Sequence, residues 1–193
     1  KIKENFNFNP STPYAISRAT TDIHLNKYFE NFKLPIIFTR TANVYGPHQQ
    51  LYRIVPKSLI SARLNKKIDL HGGGFSKRSF VFVDDASEAT YLISLKGKIG
   101  NTYHISTNKI ISIKNLINKI CKICNTKFNK LVKVTEDRVG KDSSYNLNSK
   151  KIKKELNWYA KIDLDTGIER TLRWIDKNMI FLSKEKLNYI HKK

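Results

Sequence analysis

The residues here that could do chemistry are arginines, histidines, a cysteine pair and a carboxylate pair. Arg53, Arg78 and Arg138 carry permanently charged planar forks, the side chain best shaped to grip an anionic group through paired hydrogen bonds. Cys121 and Cys124 have the spacing of half a zinc site or of a redox dithiol, and Asp84 and Asp85 stand side by side. Taken singly, each has an ordinary explanation. A lone arginine is commonly a surface residue, and His71 and His104 read as strand-end histidines. Both thiols replace apolar residues on a helical face and the chain holds no second pair, so they are assigned to packing and no metal site is expected. Asp84-Asp85 directly precede Ala86 and are assigned to capping the exposed amides of a helix start.

The elements that must position these residues alternate between helix and strand. Pro13 suits the first turn of a helix reaching Phe32. Lys33-Leu34-Pro35 breaks it, and the β-branched run 36–40 reads as a buried strand leading into the turn Asn43-Val44-Tyr45-Gly46-Pro47. Residues 54–64 read as a helix, Gly72-Gly73-Gly74 as a break, 79–83 as a strand and 86–95 as the next helix. A strand at 102–106 precedes an amphipathic helix from Ser112, whose Ile113, Leu116, Ile117, Ile120, Cys121 and Cys124 recur at core spacing. Residues 132–134 read as a strand, followed by a charged loop and helices at 149–156 and 166–178, with Trp158 and Trp174 packing around them. This is α/β grammar.

The chain has 193 residues, 36 Lys+Arg against 16 Asp+Glu and a net charge of +20. Such charge suggests an anionic partner. The lysines are nevertheless scattered from end to end, and no zinc-finger spacing or aromatic RNA-binding signature accompanies them, so no nucleic-acid site is expected. No run approaches the roughly 20 apolar residues of a membrane span, and the first ten residues are too polar for a secretory segment, so no membrane association and a cytoplasmic location are expected. The start at Lys1 is read as a cut from something longer.

Four motifs fall in order: Pro13-Tyr14-Ala15-Ile16-Ser17-Arg18, then Arg40-Thr41-Ala42-Asn43-Val44-Tyr45-Gly46-Pro47, then Arg78-Ser79-Phe80-Val81-Phe82-Val83-Asp84-Asp85, then Asp137-Arg138-Val139-Gly140-Lys141-Asp142. The set resembles the NAD-dependent nucleotide-sugar epimerase/dehydratase branch of the extended short-chain dehydrogenase/reductases, closest to the dTDP-glucose 4,6-dehydratases. It runs from about Pro10 to Trp174 but matches only the C-terminal part of the family's length. The Gly-rich cofactor turn and the acid/base residues for dehydration belong to the part that precedes.

The resemblance implies Tyr14 as the base that takes the proton of the sugar C4 hydroxyl while hydride passes to NAD, with Arg18 where the family has lysine. Tyr14, Arg18 and Val44 are the implied cofactor contacts. Asn43, Arg53, Ile54, Asp69, Leu70, His71, Arg78, His104, Arg138 and Asp142 are the implied contacts to a nucleotide-diphosphate sugar. Val139 and Lys141 depart from the family's usual Pro and His. The implied fold is the C-terminal part of a Rossmann-like doubly wound parallel sheet plus a smaller α/β substrate-binding domain. Residues 1–56 are assigned to the first, with 79–96 packing back onto it, and 57–193 to the second. A homodimer through the helix beginning near Ala15 is implied as well. A 4-epimerase or 4-dehydrogenase of the same family stays open beside the dehydratase. So does a non-catalytic nucleotide-sugar-binding protein in which Arg18 marks a lost redox site.

Overall fold

Thr12 opens the first helix by accepting a hydrogen bond from the Ala15 amide at 3.2 Å, with Pro13 next in the first turn. The computed structural model, which describes residues 1–137 and 144–189, runs this helix, α1, over Pro13–Phe32. Lys33, left-handed at φ 56°, ends it by donating its amide to the Phe29 carbonyl. No residue of α1 is buried, and Ile16, Ile23 and Phe32 lie exposed on it.

Strand β1 (Phe38–Thr41) pairs in parallel with β6 (Thr102–Ile105), Phe38 opposite Thr102. The strand expected at 36–40 starts two residues later, because its partner begins only at Thr102 and the Ile36 carbonyl is already taken by the Gly100 amide. Strand β2 (Asn43–Tyr45) pairs in parallel with β5 (Phe80–Phe82), and β3 (Ile68–His71) with β8 (Val132–Thr135). Two-residue strands complete the set: β4 (Lys77–Arg78) lies between β7 (Ile111–Ser112), antiparallel, and β9 (Ser144–Tyr145), parallel. The helices between strands are α2 (Ile54–Arg63), α3 (Val83–Lys96), α4 (Ile113–Ile123), the single turn α5 (Phe128–Leu131), α6 (Lys150–Leu156) and α7 (Leu164–Leu182).

Side chains alternate across a strand, and β5 uses both faces. Phe80 and Phe82 enter one core with Tyr45, Leu59, Ile60, Ile117, Ile120 and Ile168, while Val81 enters a second with Ile93, Tyr103, Ile105 and Trp158. Trp174 packs, partly buried, against the first core. The apolar stripe of α4 puts Leu116, Ile117, Ile120 and Cys121 into that core, and Ser112 caps the helix by accepting from the Asn115 amide at 3.1 Å. Gly167 lets α7 lie against β2, since a Cβ there would collide with the Tyr45 hydroxyl.

Asp84 and Asp85 do not cap α3 from outside it: the helix starts at Val83, with Phe82 in the capping position and making no side-chain cap. Both carboxylates therefore sit inside the first turn. Asp85 is buried and holds the backbone before α7, and Asp84 stands 3.7 Å from Arg170. Likewise α7 starts two residues before the expected Thr166, because Asp163 accepts from the Thr166 amide at 3.0 Å and from its hydroxyl at 2.9 Å.

Candidate functional site

Open α/β sheets bind ligands where parallel strands end. Here the carboxyl ends of β2 and β3 meet the start of α2 around a cleft of about 1010 Å³. Asn43 and Val44 come from β2, Arg53 and Ile54 from the entry to α2, Asp69, Leu70 and His71 from β3, and Arg78 from β4. Residues singled out in the sequence between Asn43 and Arg78 thus line one space, although four separate elements supply them.

Local structure explains how they get there. The Gly46 backbone, at φ 152°, passes so close to Val83 that a Cβ would sit 2.5 Å from its Cγ1, which turns the chain sharply out of β2. Arg53 caps α2 in extended conformation, with its guanidinium over the Tyr52 ring at 5.3 Å. In β3, Ile68 and Leu70 face the core, while alternation turns Asp69 and His71 the other way. The His71 Nδ1 lies 3.0 Å from the Thr135 hydroxyl and 3.3 Å from the Glu136 carbonyl. With Arg53, Lys57 and Arg78 against Asp69, the lining favours an anion.

Tyr45 also lines the cleft, but its hydroxyl is turned toward α7, donating to the Leu164 carbonyl at 3.3 Å. Burial, with Asp163 adding to it, holds that phenol far above its ordinary pKa, so Tyr45 is no proton acceptor near neutral pH.

The remaining candidates lie elsewhere. Tyr14 and Arg18 are exposed on α1, Tyr14 by 76%, and neither side chain makes a hydrogen bond or ion pair among the described residues. His104 is fully buried, 3.8 Å from the Glu4 carboxylate, and does not line the cleft. Burial pushes its pKa down, Glu4 opposes that and Arg40 adds to it. Arg138 and Asp142 fall outside the described residues. Sequence reading missed Gln49, Tyr52, Lys57, Asn188 and Tyr189. The last two reach the cleft from beyond α7, Asn188 accepting from the Lys57 ammonium at 2.8 Å and Tyr189 packing edge-on against Tyr52 at 5.2 Å.

An α/β architecture whose parallel strand ends converge on a basic cleft defines the class, a Rossmann-type protein built to hold an anionic ligand. The chain belongs to the GDP-mannose 4,6 dehydratase family, whose pattern matches residues 1–171, within the epimerase/dehydratases of the short-chain dehydrogenase/reductases. It is 33% identical over 174 residues to the dTDP-D-glucose 4,6-dehydratase of Mus musculus, covering 88% of this chain and 49% of that one. The dTDP-glucose 4,6-dehydratase of Streptomyces venezuelae, solved with NAD, superposes with a TM-score of 0.89 at 27% identity, over 93% of this chain and 56% of that one. The UDP-glucose 4-epimerase of Thermotoga maritima, solved with UDP-glucose, gives 0.82 at 25% identity, over 89% and 55%. The chain spans about half the length of the curated relatives it matches.

Proposed function

We propose that this chain is the C-terminal part of an NAD-dependent nucleotide-sugar 4,6-dehydratase of the dTDP-glucose type. The observation that carries the reading is the gathering of Asn43, Val44, Arg53, Ile54, Asp69, Leu70, His71 and Arg78 around one basic cleft. In this reading Arg53, Arg78 and Arg138 grip the diphosphate with Asn43, and Asp69, Leu70 and His71 line the nucleoside. Ile54 and Asp142 complete the substrate set, and His104, fully buried and away from the cleft lining, is left out of it.

Tyr14 and Arg18, solvent-exposed on α1 and outside the cleft lining, and Val44, on the cleft wall, are the residues of this chain that would hold NAD. Among the described residues no Gly-rich turn joins a strand to a helix as a diphosphate cradle does: Gly72–Gly74 forms a short 3-10 turn instead. NAD, when bound, would supply the hydride acceptor for oxidation at the sugar C4. Tyr14 takes the proton of the C4 hydroxyl, and Arg18, four residues on along α1, places a permanent cation on the same helix face. Removal of water between C5 and C6 falls to residues outside this chain.

The same reading assigns residues 1–56 to the cofactor domain, with 79–96 packed onto it, and 57–193 to the substrate domain. It makes the protein a cytoplasmic homodimer joined through α1. Among the described residues no helix is long and apolar enough to cross a membrane.

The test is to give the full-length protein NAD with dTDP-glucose or with UDP-glucose and to resolve the products by chromatography and mass. The dehydratase yields a sugar nucleotide lighter by one water. The likeness to a UDP-glucose 4-epimerase favours a second reading, and an epimer of unchanged mass would establish it. Binding with no product from either sugar nucleotide would overturn both in favour of a binding protein.

A further inference from the structure

Gln49 follows the Tyr45-Gly46-Pro47 turn and is held from two sides. Its backbone amide donates to the Gly46 carbonyl at 3.4 Å, and its side-chain Nε2 donates to the Val44 carbonyl at 2.6 Å. The second bond settles which way round the side-chain amide stands, because a flipped amide would press Oε1 against the Val44 oxygen, two acceptors at hydrogen-bonding distance. The oxygen left over is buried and has no hydrogen-bond partner among the described residues. Gln49 and Val44 both line the cleft. A buried acceptor without a donor is costly, and that cost is recovered when a ligand supplies the donor.

We propose that Gln49 is a specificity-determining residue that accepts a hydrogen bond from a hydroxyl of the ligand's sugar, so that a nucleotide sugar binds better than the bare nucleoside diphosphate. This rests on the nucleotide-sugar reading above. In that reading Val44, the residue Gln49 holds, is on the cofactor side, while the nucleoside lies against Asp69, Leu70 and His71. The ligand groups that belong on the cofactor side and can donate are sugar hydroxyls, whereas an ionised phosphate brings acceptors only. Oε1 is closed off from solvent, and the soft terminal torsion of the side chain lets it turn to meet a ligand donor in the cleft that Gln49 lines.

The test uses the full-length protein in a Tyr14→Phe background, which stops turnover, and compares Gln49→Met with its parent by titration calorimetry. The probes are dTDP and dTDP-glucose. The expected result is a five- to tenfold weaker dissociation constant for dTDP-glucose, about what one lost hydrogen bond produces, with dTDP unchanged. Unchanged dTDP binding also shows that the variant is folded. Equal weakening of both probes would overturn the proposal by making Gln49 a mere shaper of the wall, and no change in either would overturn it outright. A parent that binds neither probe would instead sink the nucleotide-sugar reading, and this inference with it.

Discussion

Through a single oxygen, Oδ2, Asp85 accepts hydrogen bonds from two successive backbone amides, Lys161 at 3.1 Å and Ile162 at 2.9 Å. It thereby ties the first turn of α3 to the segment that leads into α7. Asp85 is 2% exposed, so water does not take over if the carboxylate is removed. Asp85→Ala is expected to cost roughly 2–4 kcal/mol, since two amides lose a charged acceptor in a buried place. Asp85→Asn keeps an oxygen and should cost less. Urea unfolding of the full-length protein checks the order, and equal stability of the three proteins would refute it.

Burial pushes the Cys124 thiol up to about 11, with Arg63 opposing and Asp176 adding to it, and burial raises Cys121 as well. A folded-state pKa above the unfolded one favours the protonated thiol. That contribution is complete below the ordinary thiol range near 8.5 and is lost as pH rises through about 11. Alkylation by iodoacetamide should therefore be slow at pH 8 in the folded protein and fast in urea, and it should quicken with each step in pH toward 11. Rapid labelling of the folded protein at pH 8 would show an exposed thiolate instead.

Arg53→Ala should weaken dTDP binding by roughly ten- to a hundredfold, the usual worth of a charge-assisted fork on a phosphate. Arg53→Lys should recover part of it, because a point charge replaces the fork. Arg63→Ala is the control: its guanidinium is spent on Asp176, at 2.7 and 2.9 Å, and it does not line the cleft. Equal losses for Arg53→Ala and Arg63→Ala would point to a general charge effect.

If α1 joins two copies as proposed, Ile16→Asp with Ile23→Asp should leave only monomers in sedimentation experiments on the full-length protein. Both side chains are about half exposed on α1, so the substitutions should leave each fold's stability within about 0.5 kcal/mol. A monomeric parent protein would remove α1 from the dimer reading.

Much of this arrangement is legible in the residues because its causes are local. Pro13 and the breaking run Lys33-Leu34-Pro35 bracket α1, the three-and-four spacing of Ile113 through Cys121 makes α4, and alternating Phe80, Val81 and Phe82 mark a strand buried on both faces. What is not legible depends on partners far along the chain. Strands β4, β7 and β9 are two residues each, too short to show a period, and exist only because they meet. Asp85 resembles a cap because nothing near it in sequence reveals Lys161 and Ile162. Asn188 and Tyr189 reach the cleft by tertiary packing alone, and no spacing announces that.

The parallel pairing of β3 with β8 also governs how the protein comes into being. Asp69, Leu70 and His71 stand opposite Lys133, Val134 and Thr135, so one wall of the cleft waits for chain made much later. Local helices such as α4 form early, but this wall closes only once the partner strand has left the ribosome. Until then β3 presents an unpaired edge, and a truncation before Val132 would leave that edge open permanently as a template for aggregation.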